Sequence, residues 1–219
     1  MLEYKSPIRD VKFVMQELLD CENHYQHLGY QDASIDMIDA IISEAAKLTE
    51  QVIAPINQIG DQQGCSWNNG IVTTPDGFKN AYKQYVEGGW PTLSQSEEFG
   101  GQGLPHSLNI SIAELFSSAN HSFAMYPLLS HGALATIEAH GSDTQKQQFM
   151  PKLVEGTWTG TMCLTEPHCG TDLVCRMEVA SGLLGSCSIT DAHQKAVDIV
   201  WPAVVQLQEK IQLQETPGE

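Results

Sequence analysis

Thr161-Met162-Cys163-Leu164-Thr165-Glu166-Pro167-His168-Cys169-Gly170-Thr171-Asp172-Leu173 is the stretch whose reading decides the fold. The residues before it, Thr157-Trp158-Thr159-Gly160, alternate threonine with other residues as a strand would, so an extended segment is expected at about 157–165. It breaks at Glu166-Pro167, because proline supplies no backbone N–H and pushes its predecessor away from helix. A Gly170-Thr171-Asp172 turn follows. The open backbone at Gly170 and the hydroxyls of Thr165 and Thr171 can offer N–H and O–H donors to a flat polar ring or a phosphate.

Upstream, almost everything reads as helix. Ser142-Asp143-Thr144-Gln145 is a capping box, opening a short helix with Phe149, Met150, Leu153 and Val154 that Gly156 stops. Helices are expected at about 106–119 and 122–140, the second rich in small residues that permit close helix contact. Glu97 to Pro105 is a glycine-rich connector; it holds no G-x-G-x-x-G and follows no strand, so it is not a dinucleotide fingerprint. A helix from Pro75 to about Glu87 turns Phe78, Ala81, Tyr82 and Tyr85 inward and ends at Gly88-Gly89. Residues 58–74 read as loop, with a tight turn at Asn69-Gly70 and a short extended piece at Ile71-Val72-Thr73.

Residues 34–57 carry a strong helical stripe (Ile35, Ile38, Ile41, Ile42, Ala45, Leu48, Val52, Ile53), capped by Ser34 or Asp32 and ended or kinked at Pro55. Residues 21–33 form a connection or short helix. Residues 7–20 predict a first helix with an apolar stripe of Ile8, Val11, Phe13, Val14, Leu18 and Leu19. Beyond Leu173 the pattern blurs. Residues 191–212 can form one amphipathic helix, interrupted at Pro202.

The chain has 219 residues, 42% of them hydrophobic, as in a globular protein. No run of about 18 apolar residues occurs, so no membrane span is expected. The N-terminus lacks the pattern of a signal peptide, which makes a cytoplasmic location the default expectation. Net charge is −16 and the acidity is spread along the chain, which argues against nucleic acid or an anionic membrane as partner. Cys21, Cys65, Cys163, Cys169, Cys175 and Cys187 form no C-x-x-C pair and match no common zinc spacing, so no metal site is expected and reduced thiols are.

The order of capping-box helix, Gly156-Thr157, strand, Leu164-Thr165-Glu166-Pro167 and Gly170-Thr171-Asp172 resembles the N-terminal part of the acyl-CoA dehydrogenases, and most of all their 3-methylmercaptopropionyl-CoA dehydrogenase-like branch. Tyr4 to Asp20, Tyr82 to Trp90 leading into Glu98 to Pro105, and His131-Gly132-Ala133 with His140-Gly141 agree with it, so the resemblance covers about residues 1–173. It implies a mainly α N-terminal helical domain at 1–156, the start of a flavin-binding β segment at 157–173, and a divergent tail at 174–219.

The resemblance further implies a flavoprotein oxidoreductase of fatty acid metabolism that carries out α,β-dehydrogenation of an acyl-CoA thioester with FAD. By position, Met162 and Leu164 would offer backbone groups, and Thr165 its hydroxyl, to the pyrimidine side of the flavin; Gly170 and Thr171 would hold the pyrophosphate. An electron-transfer partner of unassigned identity and a homo-oligomer are consistent with the family. Residues 174–219 do not continue the family's pattern of a β-domain and a helical bundle bearing the catalytic carboxylate. A rearranged end, a truncated paralogue and a divergent small domain all stay open. So does the alternative that the chain is a non-catalytic remnant or an interaction module associating with full-length relatives. No catalytic residue is assigned. Glu166 reads as a structural carboxylate in its Glu-Pro turn, His168 as a loop residue, Trp158 as packing, and Glu97 and Glu98 as a solvated face.

Overall fold

A helix that is interrupted without ending sets the layout of this protein. The structure, a computed structural model, describes residues 4–161. Helix α1 (Ile8–Lys12) widens into a π-helical turn at Phe13–Leu18, and α2 (Cys21–His27) follows. Helix α3 (Ile35–Leu48) passes through a π-helical turn (Thr49–Ile53) and a 3-10 turn (Ala54–Ile56) into α4 (Asn57–Gln63). Strands β1 (Ser66–Asn68) and β2 (Ile71–Thr73) form an antiparallel hairpin with Trp67 opposite Val72. Helix α5 (Phe78–Glu87), two 3-10 turns (Trp90–Thr92 and Glu97–Phe99), α6 (His106–Ala119), α7 (His121–His140) and α8 (Asp143–Glu155) complete the described chain. The domain is mainly α, as the sequence predicts.

The helix starts and stops follow local chemistry. The Ser34 hydroxyl accepts from the Met37 N–H at the start of α3. Ser142 and Gln145 make both bonds of the capping box at α8, and Gly156, at φ 79°, closes it. In the hairpin Asn69 and Gly70 have φ of 49° and 87°, the two positive values that a type I′ turn needs.

Two expectations are corrected. The first helix does not bury the predicted stripe. Val11 and Met15, one turn apart, face the core, while Phe13, Val14, Leu18 and Leu19 are exposed. The wide turn shifts the helical phase after Val11, so a stripe drawn at 3.6 residues per turn loses its face. Residues 58–63, expected as loop, are helical. Pro55 falls in the first turn of a new start, where its missing N–H leaves no bond unmade, and the chain coils on.

The break at Pro55 is held from outside. The Ala54 N–H donates to the Thr49 carbonyl, five residues back, and the Asn57 N–H donates to Ala54 rather than to Ile53. The Ile53 carbonyl thereby loses the Asn57 N–H, the donor an uninterrupted α-helix would give it. The Asn120 side-chain amide supplies one at 3.2 Å, while its Oδ1 accepts from the Phe123 N–H at 3.1 Å and caps α7. Asn120 is almost wholly buried. Buried Thr49, which a hydrophobic pattern does not reveal, returns its hydroxyl to the Ala45 carbonyl at 2.6 Å.

Around this corner the core is apolar and aromatic. Ile38, Ile42 and Ile53 from the broken helix are fully buried with Leu108, Ile112 and Leu115 of α6. Each such side chain contributes about 1.5–3 kcal/mol on burial. Tyr85 of α5 meets Phe116 and Phe123 edge-on, at 5.9 and 6.1 Å between ring centroids, which locks α5 to α6 and α7.

Asn120→Ala removes the cap and the side-chain bond to the buried Ile53 carbonyl, so unfolding free energy should fall by about 1–3 kcal/mol. Asn120→Ser keeps a cap acceptor yet is too short to reach Ile53, and should recover about 1 kcal/mol of that loss. Urea denaturation followed by circular dichroism measures both.

Candidate functional site

Helix α7 has apolar residues all around it, and its sides meet different surroundings. Phe123, Pro127, Leu134 and Ile137 face the core. Tyr126, Ser130 and Ala133, spaced four and three apart, hold the segment that leaves α8. The Tyr126 hydroxyl donates to Thr159 Oγ1 at 3.1 Å, and the Gly160 N–H donates to Ser130 Oγ at 3.1 Å. A Cβ at Gly160 would lie 2.5 Å from Ala133 Cβ and 3.1 Å from the Leu129 carbonyl oxygen, so only glycine lets the exit segment lie this close to α7.

Met125, Leu128 and Gly132, spaced three and four apart, form the third side. Met125 is 40% exposed and Leu128 55%, and no atom beyond the helix's own backbone stands within 4 Å of a Cβ built on Gly132. The stripe is apolar and exposed.

The glycine-rich connector backs α7. Gly103 N–H donates to the Gln95 carbonyl at 2.9 Å, Leu104 N–H to Leu93 at 3.0 Å and Gln102 N–H to Thr92 at 2.9 Å. A Cβ at Gly101 would sit 2.0 Å from the Gln95 carbonyl oxygen, so the fold-back requires glycine there. Buried Gln95 in turn donates its amide to His131 Nδ1 at 3.1 Å, which assigns the remaining ring proton of neutral His131 to Nε2. Burial, and secondarily the charge of His106, holds the His131 pKa below its ordinary value.

The sequence-predicted cofactor residues Met162, Leu164, Thr165, Gly170 and Thr171 lie outside the described residues, as do Glu166 and His168. Trp158 packs on Phe149 at 6.2 Å between centroids, with the Lys152 ammonium 4.1 Å from its ring centre, so it is a packing residue. Glu97 and Glu98 are exposed. Cys21 is buried and Cys65 exposed; the other four cysteines lie outside the described residues. Among the described residues no His/Cys/Asp/Glu group could hold a metal ion, and no helix is long and apolar enough to cross a membrane. Sequence reasoning missed the Gln95–His131 pair and the Ser130–Gly160 bond, both of which join residues at least thirty positions apart. The only local signal was the run of glycines in the connector.

Residues 37–157, more than half of the chain, match the family model described as acyl-CoA dehydrogenase, N-terminal domain. The chain is 38% identical to 3-methylmercaptopropionyl-CoA dehydrogenase of Ruegeria pomeroyi over 172 residues, 78% of this chain and 29% of that protein. It is 34% identical to a butyryl-CoA dehydrogenase of Syntrophomonas wolfei over 174 residues, 78% of this chain and 28% of that one. It thus spans less than a third of the length of these relatives. The solved structure of butyryl-CoA dehydrogenase from Megasphaera elsdenii superposes with a TM-score of 0.53 at 24% identity, covering 64% of this chain and 34% of that one, a likeness of fold.

Gly160→Ala should destabilise the protein by about 1–3 kcal/mol through overpacking against Ala133, whereas Gly132→Ala, with open space around it, should be neutral or stabilising by up to about 1 kcal/mol. Thermal melts of the two variants test the contrast. The depressed pKa of His131 gives a second test. The unfolded chain binds the proton first as pH falls below about 6.5, so the stability His131 contributes is complete above that value and drains away towards its lower folded pKa. His131→Gln should therefore lose less stability than wild type between about pH 7.5 and pH 5.5, as read from urea midpoints.

Proposed function

The chain belongs to the acyl-CoA dehydrogenase family, and from that premise we propose that it carries the helical part of an FAD-dependent site for α,β-dehydrogenation of an acyl-CoA thioester. The observation that carries the reading is one of order. A domain of this family runs to residue 157 and is followed at once by Met162-Cys163-Leu164-Thr165-Glu166-Pro167 and Gly170-Thr171-Asp172. On this reading residues 1–156 form the helical domain, 157–173 open the flavin-binding segment and 174–219 are a divergent tail.

Bound FAD would supply the hydride acceptor. The backbone groups of Met162 and Leu164 and the Thr165 hydroxyl would pair with the polar edge of its ring. Gly170 would let the pyrophosphate approach the backbone, and Thr171 would donate its hydroxyl there. The described residues suit such chemistry on one count. The Met125–Leu128–Gly132 stripe is an uncovered apolar surface, of the kind that excludes water from an acyl chain or a ring face. None of the residues named here supplies the carboxylate base. An electron-transfer partner would reoxidise the flavin.

The same exposed stripe favours a second reading, in which the chain is an interaction module that docks on full-length relatives. Flavin titration separates the two. If the chain binds FAD, Thr165→Val and Thr171→Val should each weaken it about fivefold, the worth of one hydrogen bond, as read by quenching of flavin fluorescence. A purified chain that stays colourless with FAD and co-elutes with a full-length relative would reverse the order of the readings.

A further inference from the structure

A groove with about 560 Å³ of space opens beside the hairpin, where the end of α4, the first turns of α5 and the first turns of α7 meet. Its volume falls in the range of small-molecule sites. Four rings line it: Phe78 and Tyr82 from α5, Phe123 and Tyr126 from α7. The Phe78 and Phe123 rings lie 6.5 Å apart and tilted, and the Tyr82 and Tyr126 rings 5.0 Å apart and edge-on. Gly60 deepens the floor, since a Cβ there would come within 2.7 Å of the Phe78 ring. Both tyrosine hydroxyls are engaged elsewhere, with Gly156 and Thr159, so these rings offer the groove mainly their apolar bodies.

One charge belongs to the lining. Lys79 lines the groove, and no carboxylate among the described residues pairs with it. The nearby Asp76 carboxylate is occupied with the Gln63 amide at 3.0 Å. Helix α5 starts without a side-chain cap, so its positive end adds to the field at Lys79. Lys79 is the one charged side chain in the described lining.

We propose that this groove binds a small aromatic monocarboxylate, with the ring among Phe78, Tyr82, Phe123 and Tyr126 and the carboxylate at Lys79. The ring surfaces favour a flat apolar body that stacks offset or edge-on. The unpaired ammonium favours a single anionic head. The site is separate from the Met125–Leu128–Gly132 stripe and does not depend on flavin binding.

The test uses the full chain and 2-naphthoate as probe, followed by calorimetry and by the rate at which iodoacetamide alkylates Cys65, an exposed thiol in the lining. Wild type should bind one equivalent saturably and protect Cys65. Lys79→Gln should weaken binding about fivefold at low salt, and less as salt rises, as for an ion pair at an exposed lysine. Ser122→Trp, which fills the groove from its exposed rim, should abolish both binding and protection while leaving the circular dichroism spectrum and melting temperature unchanged. The neutral 2-naphthalenemethanol should bind more weakly than the acid and be indifferent to Lys79→Gln. Absence of saturable binding, binding that survives Ser122→Trp, equal affinity for acid and alcohol, or loss on Leu128→Asn in place of Ser122→Trp would each overturn the proposal. The last result would put the ligand on the α7 stripe.

Discussion

One buried amide holds two otherwise independent breaks in the chain together. The π-helical turn at Thr49–Ile53 and the proline after it take the Asn57 N–H away from the Ile53 carbonyl, and the single-residue step between α6 and α7 leaves the first N–H groups of α7 without helical acceptors. Asn120 answers both, one group with each end of its side chain. In a low-dielectric interior each such bond is worth more than in water, so one side chain that serves both breaks ties them together. The bend that turns α3 into α4 and the corner that starts α7 are therefore one feature. The groove between α4, α5 and α7, and the direction in which α7 offers its sides, both follow from it.

Seen from that corner, the lack of amphipathicity in α7 has a physical cause. A helix with one wet side needs a single apolar stripe. This one serves the core with Phe123, Leu134 and Ile137, a neighbouring segment with Tyr126, Ser130 and Ala133, and open space with Met125 and Leu128. The polar atoms on the second side are spent on the exit segment, so a close backbone approach at Gly160 is achieved without an orphaned N–H.

The sequence showed what is decided within a few residues. Ser142 with Gln145, Ser34, Gly156 and Asn69-Gly70 act through their neighbours, and each does in the structure what its pattern implies. The ordered motifs likewise brought the family into view. What escaped was decided by phase or by distance. Phe13, Val14, Leu18 and Leu19 look like a core face until a π-helical turn rotates them outward. Residues 58–63 look like loop until Pro55 proves to begin a turn. Gln95 against His131, and Asn120 against Ile53, pair residues 36 and 67 positions apart, which no local pattern records. The motif at 162–171 proposed for flavin lies outside the described residues; its reading rests on glycine and threonine at fixed offsets, which have a local meaning. The exposed stripe on α7 was not legible, because an exposed apolar side differs from a buried one only through what packs against it.

This division separates folding from recognition in the described unit. The residues that fix α7 are buried or hydrogen-bonded: Asn120, Phe123, Leu134, Ser130 and Ala133 against Gly160. Those that face outward, Leu128 on the stripe and Lys79 and Ser122 at the groove, carry no side-chain hydrogen bond among the described residues. Truncating a buried leucine costs about 2–5 kcal/mol, whereas surface substitutions usually stay within about 0.5 kcal/mol. A change at Leu128 or Lys79 can therefore alter what the surface binds while leaving the scaffold at nearly its original stability. A change at Asn120 cannot, because it moves the helix that both surfaces share.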